Sequence, residues 1–261
     1  MTTAAVARWM TVRRFNFFLK NRIAALQWYD IISRNLNDRE EPMAVKVIDV
    51  KVGVFDENNA IADEVRAYNK SKGTMMLNIM ASPGAGKTTT LLRTIDALKD
   101  EYRIGVMEAD IEASVDAEKM AAAGVKSIQV HTGGECAMDA SMVQQTLREF
   151  DTEGIDLLFM ENVRNLVCTA EQDTGANYNV EILSVPEGDD KPLKYPLMFS
   201  VCQCVLINKI DTRAWFPFDD AAVVERIHRL NPDADIFFLS SKTGEGFDQW
   251  VDWIKEKLQA R

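Results

Sequence analysis

The chain has 261 residues, 47% of them hydrophobic, and its 40 acidic against 30 basic side chains give a formal charge of -10. That length supports one sizeable core with short attachments, and the acid excess repels phosphate backbones and anionic headgroups, so neither nucleic acid nor a membrane is an expected partner. No apolar run approaches the ~20 residues needed to cross a bilayer. The four cysteines, Cys136, Cys168, Cys202 and Cys204, lie late in a chain whose start shows no small-residue cleavage site. This usage suits a reducing, cytoplasmic setting better than a disulfide framework.

In chain order, the segment up to Asn37 carries Arg8, Arg13, Arg14, Lys20, Arg22 and Arg34 against Asp30 alone. Residues 1–42 are therefore read as a basic extension of doubtful role, with Met43 a candidate initiator. Residues 43–74 read as a strand-and-helix attachment, its helix at 59–70. Thereafter short apolar runs, 75–80, 103–107, 127–130, 156–161, 180–185, 204–208 and 235–239, alternate with amphipathic stretches at 87–99, 115–122, 137–150, 219–230 and 247–258. Such alternation predicts an α/β fold with a mostly parallel sheet covered by helices on both faces. Ligands of such sheets bind beyond the carboxyl ends of the strands.

The first of these runs leads into Ala81-Ser82-Pro83-Gly84-Ala85-Gly86-Lys87-Thr88, and Thr89-Thr90-Leu91-Leu92 open the next helix. A P-loop belongs in this place. Gly84, Ala85 and Gly86 let successive backbone N–H groups face phosphate oxygens, the helix start adds positive potential, Lys87 brings a cation, and Thr88 and Thr89 bring hydroxyls. Ala81 stands where such loops usually begin with glycine. Magnesium needs hard oxygen ligands, and Thr88, Asp110 and Glu161 are the candidates, the two carboxylates each closing a strand.

Asn208-Lys209-Ile210-Asp211 follows one apolar run and Ser240-Ser241-Lys242 another. Together they read as guanine recognition, because Asp211 accepts from the guanine N1–H and exocyclic amine, whereas adenine presents an acceptor there and leaves the anion unsatisfied. Residues 75–261 are thus expected to be a three-layer P-loop GTPase domain using GTP and magnesium. A small-molecule kinase on the same P-loop is the alternative chemistry, against which Asp211 argues. No residue declares itself as the one orienting the attacking water, so slow hydrolysis is expected.

With these motifs in place, the chain from about Met43 to Gln259 closely resembles the hydrogenase nickel-incorporation GTPases, the HypB family, whose fold is a SIMIBI-type G domain. The stretches that carry the resemblance are Asp110-Ile111-Glu112 with Ser114-Val115-Asp116-Ala117, Thr132-Gly133-Gly134, Glu161-Asn162-Val163 with Asn165-Leu166-Val167-Cys168, the run from Glu187 to Pro196, and Lys242-Thr243-Gly244-Glu245-Gly246. The resemblance implies a GTP-dependent homodimer whose nucleotide state alters affinity for an interfacial metal. It also implies a nickel-chaperone partner and a hydrogenase large-subunit precursor as client. A urease-type nickel-insertion GTPase is a related possibility, as is a nucleotide-dependent scaffold that recruits a metallochaperone without carrying metal.

In that family the metal ligands include a cysteine followed by histidine and a second cysteine after the E-N-V segment. Here those positions read Cys136, Ala137 and Cys168. Arg164 and Thr169 also stand where the family suggests glycine and proline, and no cysteine- or histidine-rich run marks the amino terminus. Two copies of Cys136 and Cys168 across a two-fold axis would offer four thiolates, a set suited to tetrahedral zinc or planar nickel. His131, Glu135 and Asp139 lie near enough in sequence to be further ligands. Cys202 and Cys204, two apart, are expected to share one face of a strand as core packing. His228, beside Arg226 and Arg229, marks a solvated helix face. Trp215-Phe216-Pro217-Phe218 either shields the base, meets a partner or packs on its own domain.

Overall fold

A computed structural model describes residues 50–110 and 124–261. The basic extension, the start of the 43–74 attachment and the helix expected at 115–122 lie outside the described residues. Helix α1 (Val50–Lys72) leads into strand β1 (Met75–Ala81), which turns into α2 (Lys87–Leu98) and then β2 (Ile104–Asp110). After β3 (Lys126–His131) come α3 (Ala140–Glu149), β4 (Leu157–Glu161), the short α4 (Cys168–Glu171) and β5 (Tyr178–Ser184). Two short helices, α5 (Lys191–Lys194) and α6 (Pro196–Val201), precede β6 (Cys204–Asn208), α7 (Asp220–Leu230), β7 (Asp235–Phe238) and α8 (Phe247–Gln259).

The strands form one sheet in the order β3-β2-β4-β1-β5-β6-β7, every pairing parallel. β1 is buried at all positions, as a central strand covered on both faces must be. Its alternate side chains serve two layers. Met75, Leu77 and Ile79 pack with Leu91, Ile95 and Leu98 of α2 and with Trp250, Ile254 and Leu258 of α8. On the opposite face Met76 meets Val65 of α1 and Val143 and Leu147 of α3, while Met80 meets Phe199 of α6 and Ile227 of α7. This is the three-layer P-loop architecture expected. The chain moves to one side of β1 through β2 and β4 and to the other through β5 to β7, so the carboxyl end of β1 is the topological switch point where ligands bind.

Cys202 and Cys204 depart from expectation. Cys202 ends α6 and packs with the layer of α6 and α7, while Cys204 opens β6 and faces the layer of α2 and α8. The thiols therefore lie in different layers rather than on one strand face, because the chain leaves a helix between them. Core packing is nevertheless their role: both are fully buried, and burial pushes both thiols well above their usual pKa.

α1 begins nine residues before the expected start at 59, since Asn58 is no breaker here but part of a buried stripe with Ala62, Val65 and Asn69. That stripe has helical spacing. The Asn58 amide accepts from Ala140 N at 2.9 Å, at the start of α3, and donates to Asp173 O at 2.8 Å, after α4. Arg66 adds a two-pronged bond to the Asp173 carboxylate at 2.9 and 3.0 Å. Gly175, at φ +79°, then seats its backbone on the helix, where a Cβ would lie 2.6 Å from the Val65 side chain and 2.7 Å from the Ala62 carbonyl oxygen. Gly175→Ala is expected to cost about 3 kcal/mol, from overpacking and a left-handed backbone. Urea unfolding checks this; an unchanged midpoint contradicts the seating.

Candidate functional site

The loop between β1 and α2 adopts the P-loop course, with Gly84 at φ +79° and Gly86 at φ +104°. Gly86 has no substitute, because a Cβ there would stand 2.5 Å from Asn208 Nδ2. Ala81, in place of a first glycine, simply completes β1 and is fully buried. Lys87 opens α2 and is only 5% exposed. Its ammonium lies 3.6 Å from Glu161 Oε1 and donates to the Asn162 carbonyl, both at the end of β4. Burial lowers the Lys87 pKa, and the Glu161 carboxylate opposes that shift.

Of the magnesium candidates, Glu161 lies 3.6 Å from the Lys87 ammonium, and Thr88 follows Lys87 in the first turn of α2; both offer the hard oxygen that the ion prefers. Asp110 closes β2, but its side chain falls outside the described part of the structure. Thr89 is exposed in the first turn of α2.

The base-site residues gather on the neighbouring strand ends. Asn208 closes β6 and is spent on holding loops: Nδ2 donates to Ala85 O at 2.9 Å, and Oδ1 accepts from Ser241 N at 3.0 Å and Ser241 Oγ at 3.1 Å. Lys209, the one non-glycine residue with positive φ among those described, lies along the P-loop and donates to Gly84 O at 2.5 Å. Asp211 is half-buried, and Ser240 Oγ donates to its Oδ1 at 2.6 Å, which orients the carboxylate. Lys242 follows in the same loop. Of the aromatic run, Phe218 packs on the α6–α7 layer, while Trp215 is 74% exposed.

The two cysteines of the expected metal site also meet. Cys136 and Cys168, 32 residues apart, have Cα atoms 6.0 Å from each other and are joined as a disulfide. The sequence reading favours a reducing setting over a disulfide framework, and this pair departs from it, while Cys202 and Cys204 are free thiols. Local sequence gives no sign of the pairing, because tertiary packing alone sets the loop before α3 against the start of α4. The pair borders a cavity of about 250 Å³ with Glu135, Ala137, Asp139 and Met142. Asp139 Oδ1 is committed to capping α3 through Met142 N at 2.8 Å, so its carboxylate is anchored. His131 is exposed at the end of β3. Among the described residues no group of three or more His, Cys, Asp or Glu side chains is placed to hold a metal.

Four residues of the site escaped the sequence reading. Thr90 shares a 2.7 Å hydrogen bond with Ser241 Oγ, and Arg93 holds the same loop through Ser241 O and Lys242 O at 3.3 and 3.4 Å. Asn162, fully buried, accepts from Met138 N at 3.2 Å, two residues beyond Cys136. Glu181 lies on β5 opposite Met80 and is buried with Oε2 unpaired. Only Asn162, inside a motif already singled out, had a signal that drew attention to it.

Comparison with known proteins agrees with this geometry. Residues 75–238 match the family described as CobW/HypB/UreG, nucleotide-binding domain. The hydrogenase maturation factor HypB of Escherichia coli K12 is 39% identical over 80% of this chain and 72% of its own length. The hydrogenase/urease maturation factor HypB of Helicobacter hepaticus is 38% identical over 87% of this chain and 95% of its own. The crystal structure of HypB from Archaeoglobus fulgidus superposes with a TM-score of 0.73 at 36% identity, covering 78% of this chain and 99% of that one. HypB from Helicobacter pylori in complex with nickel also gives 0.73, at 38% identity over 78% of this chain and 96% of that one.

Glu181 gives this site a pH signature. Burial, with the nearby Glu187 carboxylate, holds its pKa well above the ordinary value of 4.5, while Lys87 and Lys191 pull the other way. The folded protein therefore keeps a proton that the unfolded chain releases, and folding stability falls as pH rises above about 4.5. Glu181→Gln is expected to be more resistant to urea than the parent at pH 8, with the gap closing toward pH 4. A gap that is the same at both pH values contradicts a protonated Glu181.

Proposed function

Because this chain belongs to the hydrogenase maturation factor HypB family and is a P-loop GTPase, we propose that it couples GTP state and dimerisation to nickel delivery in [NiFe]-hydrogenase maturation. The observation that carries this reading is the meeting of Cys136 and Cys168, with Cα atoms 6.0 Å apart, in the protein whose strand ends also assemble the P-loop and Asp211. Backbone amides of residues 82–88 receive the phosphates, and Lys87 meets their charge. Asp211, held by Ser240, selects guanine. Thr88, Asp110 and Glu161 hold magnesium, which neutralises phosphate charge when bound. The absence of a declared water-orienting residue in the sequence favours slow hydrolysis.

Nickel is cargo in this scheme. Once reduced, Cys136 and Cys168 offer two thiolates, and a second copy brings two more, enough for planar nickel or tetrahedral zinc. Val167, beside Cys168, and Leu193 and Leu197 of α5 and α6 are exposed apolar side chains, which supports burial against a second copy. A nickel chaperone and a hydrogenase large-subunit precursor are the partners, and the cytoplasm is the compartment. No described helix is long and apolar enough to cross a membrane. A scaffold that recruits a metallochaperone without holding metal is the second reading, favoured by Ala137 at the family's histidine position and by the thiols being paired.

Asp211→Asn is expected to weaken GDP and GTP binding by at least about 100-fold and to improve xanthine nucleotide binding, since the amide donor then faces the guanine N1–H. Unchanged guanine affinity removes Asp211 from base recognition. For the metal, the reduced protein is dialysed against nickel with GDP and with a non-hydrolysable GTP analogue, and the same samples are sized by gel filtration. Nickel uptake that depends on both cysteines, with a dimer promoted by the analogue, is the expected result. No uptake, or uptake unaltered in a Cys136→Ala, Cys168→Ala double variant, leaves the scaffold reading.

A further inference from the structure

Lys87 and the cysteine-bearing loop are bonded to the same residue. The Lys87 ammonium donates to the backbone carbonyl of Asn162, while the Asn162 side-chain Oδ1 accepts from the backbone N–H of Met138 at 3.2 Å. Met138 is two residues from Cys136, and Asn162 is six residues before Cys168 in the β4–α4 connection. The amide is oriented on its other side as well, Nδ2 donating to Asn78 Oδ1 on β1 at 3.2 Å. Asn162 N donates to Ile79 O at 3.0 Å, and Val163 N donates to Asn162 Oδ1 at 2.9 Å. A fully buried asparagine with its amide and backbone bonded in this way has little freedom to move without its partners moving too.

We propose that Asn162 is the positioning residue through which the nucleotide sets the geometry of the Cys136–Cys168 pair. This rests on the nickel-GTPase reading above and adds to it the route of coupling. Lys87 is held on the Asn162 carbonyl and Glu161. Phosphate oxygens compete for the same ammonium protons, so their arrival changes the bond that fixes the Asn162 peptide. The displaced amide carries Met138, and with it the Cys136 end of the pair. Asn58 of α1 holds both segments beyond the cysteines, accepting from Ala140 N at 2.9 Å and donating to Asp173 O at 2.8 Å, while Arg66 grips the Asp173 side chain. α1 therefore supports both segments alike, whereas Asn162 links Met138, beside Cys136, to the nucleotide loop, which lets nucleotide state alter the separation of the pair.

A ligand shifts such an equilibrium only if it prefers one arrangement, so the decisive readout is the pair itself, in metal-free protein. Its thiol–disulfide equilibrium against glutathione is written as protein dithiol plus oxidised glutathione giving protein disulfide plus two reduced glutathiones. In the parent the constant is expected to change by at least about 5-fold between nucleotide-free protein and protein saturated with a non-hydrolysable GTP analogue. Asn162→Ala, saturated likewise, is expected to reduce that ratio to within about 2-fold of unity, on the same scale of coupling. Asn58→Ala, which loosens the same region without touching the Lys87 link, is expected to shift the constant in both states and keep the ratio. A parent constant indifferent to the analogue, or a ratio retained in Asn162→Ala, overturns the proposal.

Should Asn162→Ala fail to fold, amide hydrogen exchange of Met138 in the parent decides. A change on adding the analogue supports the route, and no change overturns it. Nickel dialysis is a separate arm, since failure to bind metal refutes the delivery reading while the thiol equilibrium still judges the coupling.

Discussion

The site depends on a lysine that is out of water. An ammonium buried as Lys87 is costs several kcal/mol in lost hydration unless charge and hydrogen bonds replace the water. Glu161 and the Asn162 carbonyl provide that replacement, and both stand at the end of β4. They are in place because β4 pairs directly with β1, with Glu161 opposite Ile79. The sheet order is thus also an electrostatic arrangement: the strand that follows β1 in space, not in sequence, brings the carboxylate to the P-loop cation.

Buried asparagine amides link the elements around this centre. Asn162, Asn78 and Asn179 form a row across β4, β1 and β5, with Asn78 Nδ2 donating to Asn179 Oδ1 at 2.9 Å. Asn208 joins the P-loop to the 240–246 loop, and Asn58 joins the start of α3 to the segment after α4. An amide side chain both donates and accepts, so one residue serves two backbone segments at once. Such bonds add little net stability each, but breaking one leaves a buried group unsatisfied, which penalises alternative loop positions more strongly. The effect is to hold loops of different origin in one register at the carboxyl edge of the sheet.

Much of this was written locally in the chain. The P-loop was legible because phosphate binding by backbone amides requires contiguous small residues followed by Lys87 and Thr88, and the guanine motif because Asp211 comes three residues after Asn208 at a strand end. The parallel sheet was legible because strands covered on both faces have no room for polar alternation. Helix boundaries were less so. α3 begins at Ala140 rather than 137 since Asp139 acts as its cap, and the four- and six-residue helices α5 and α6 are too short to show a period.

The sequence by itself determined the class of fold, the P-loop and the strand-end motif that carries Asp211, because each is built from neighbours along the chain. Only the tertiary structure decided that Cys202 and Cys204 part into different layers and that Asn58 and Asn162 hold the cysteine-bearing segments. Those contacts join residues from 24 to 115 positions apart. Their partners are backbone groups, which every residue carries, so no residue type at the far end announces the bond; packing of the layers alone brings the two ends together.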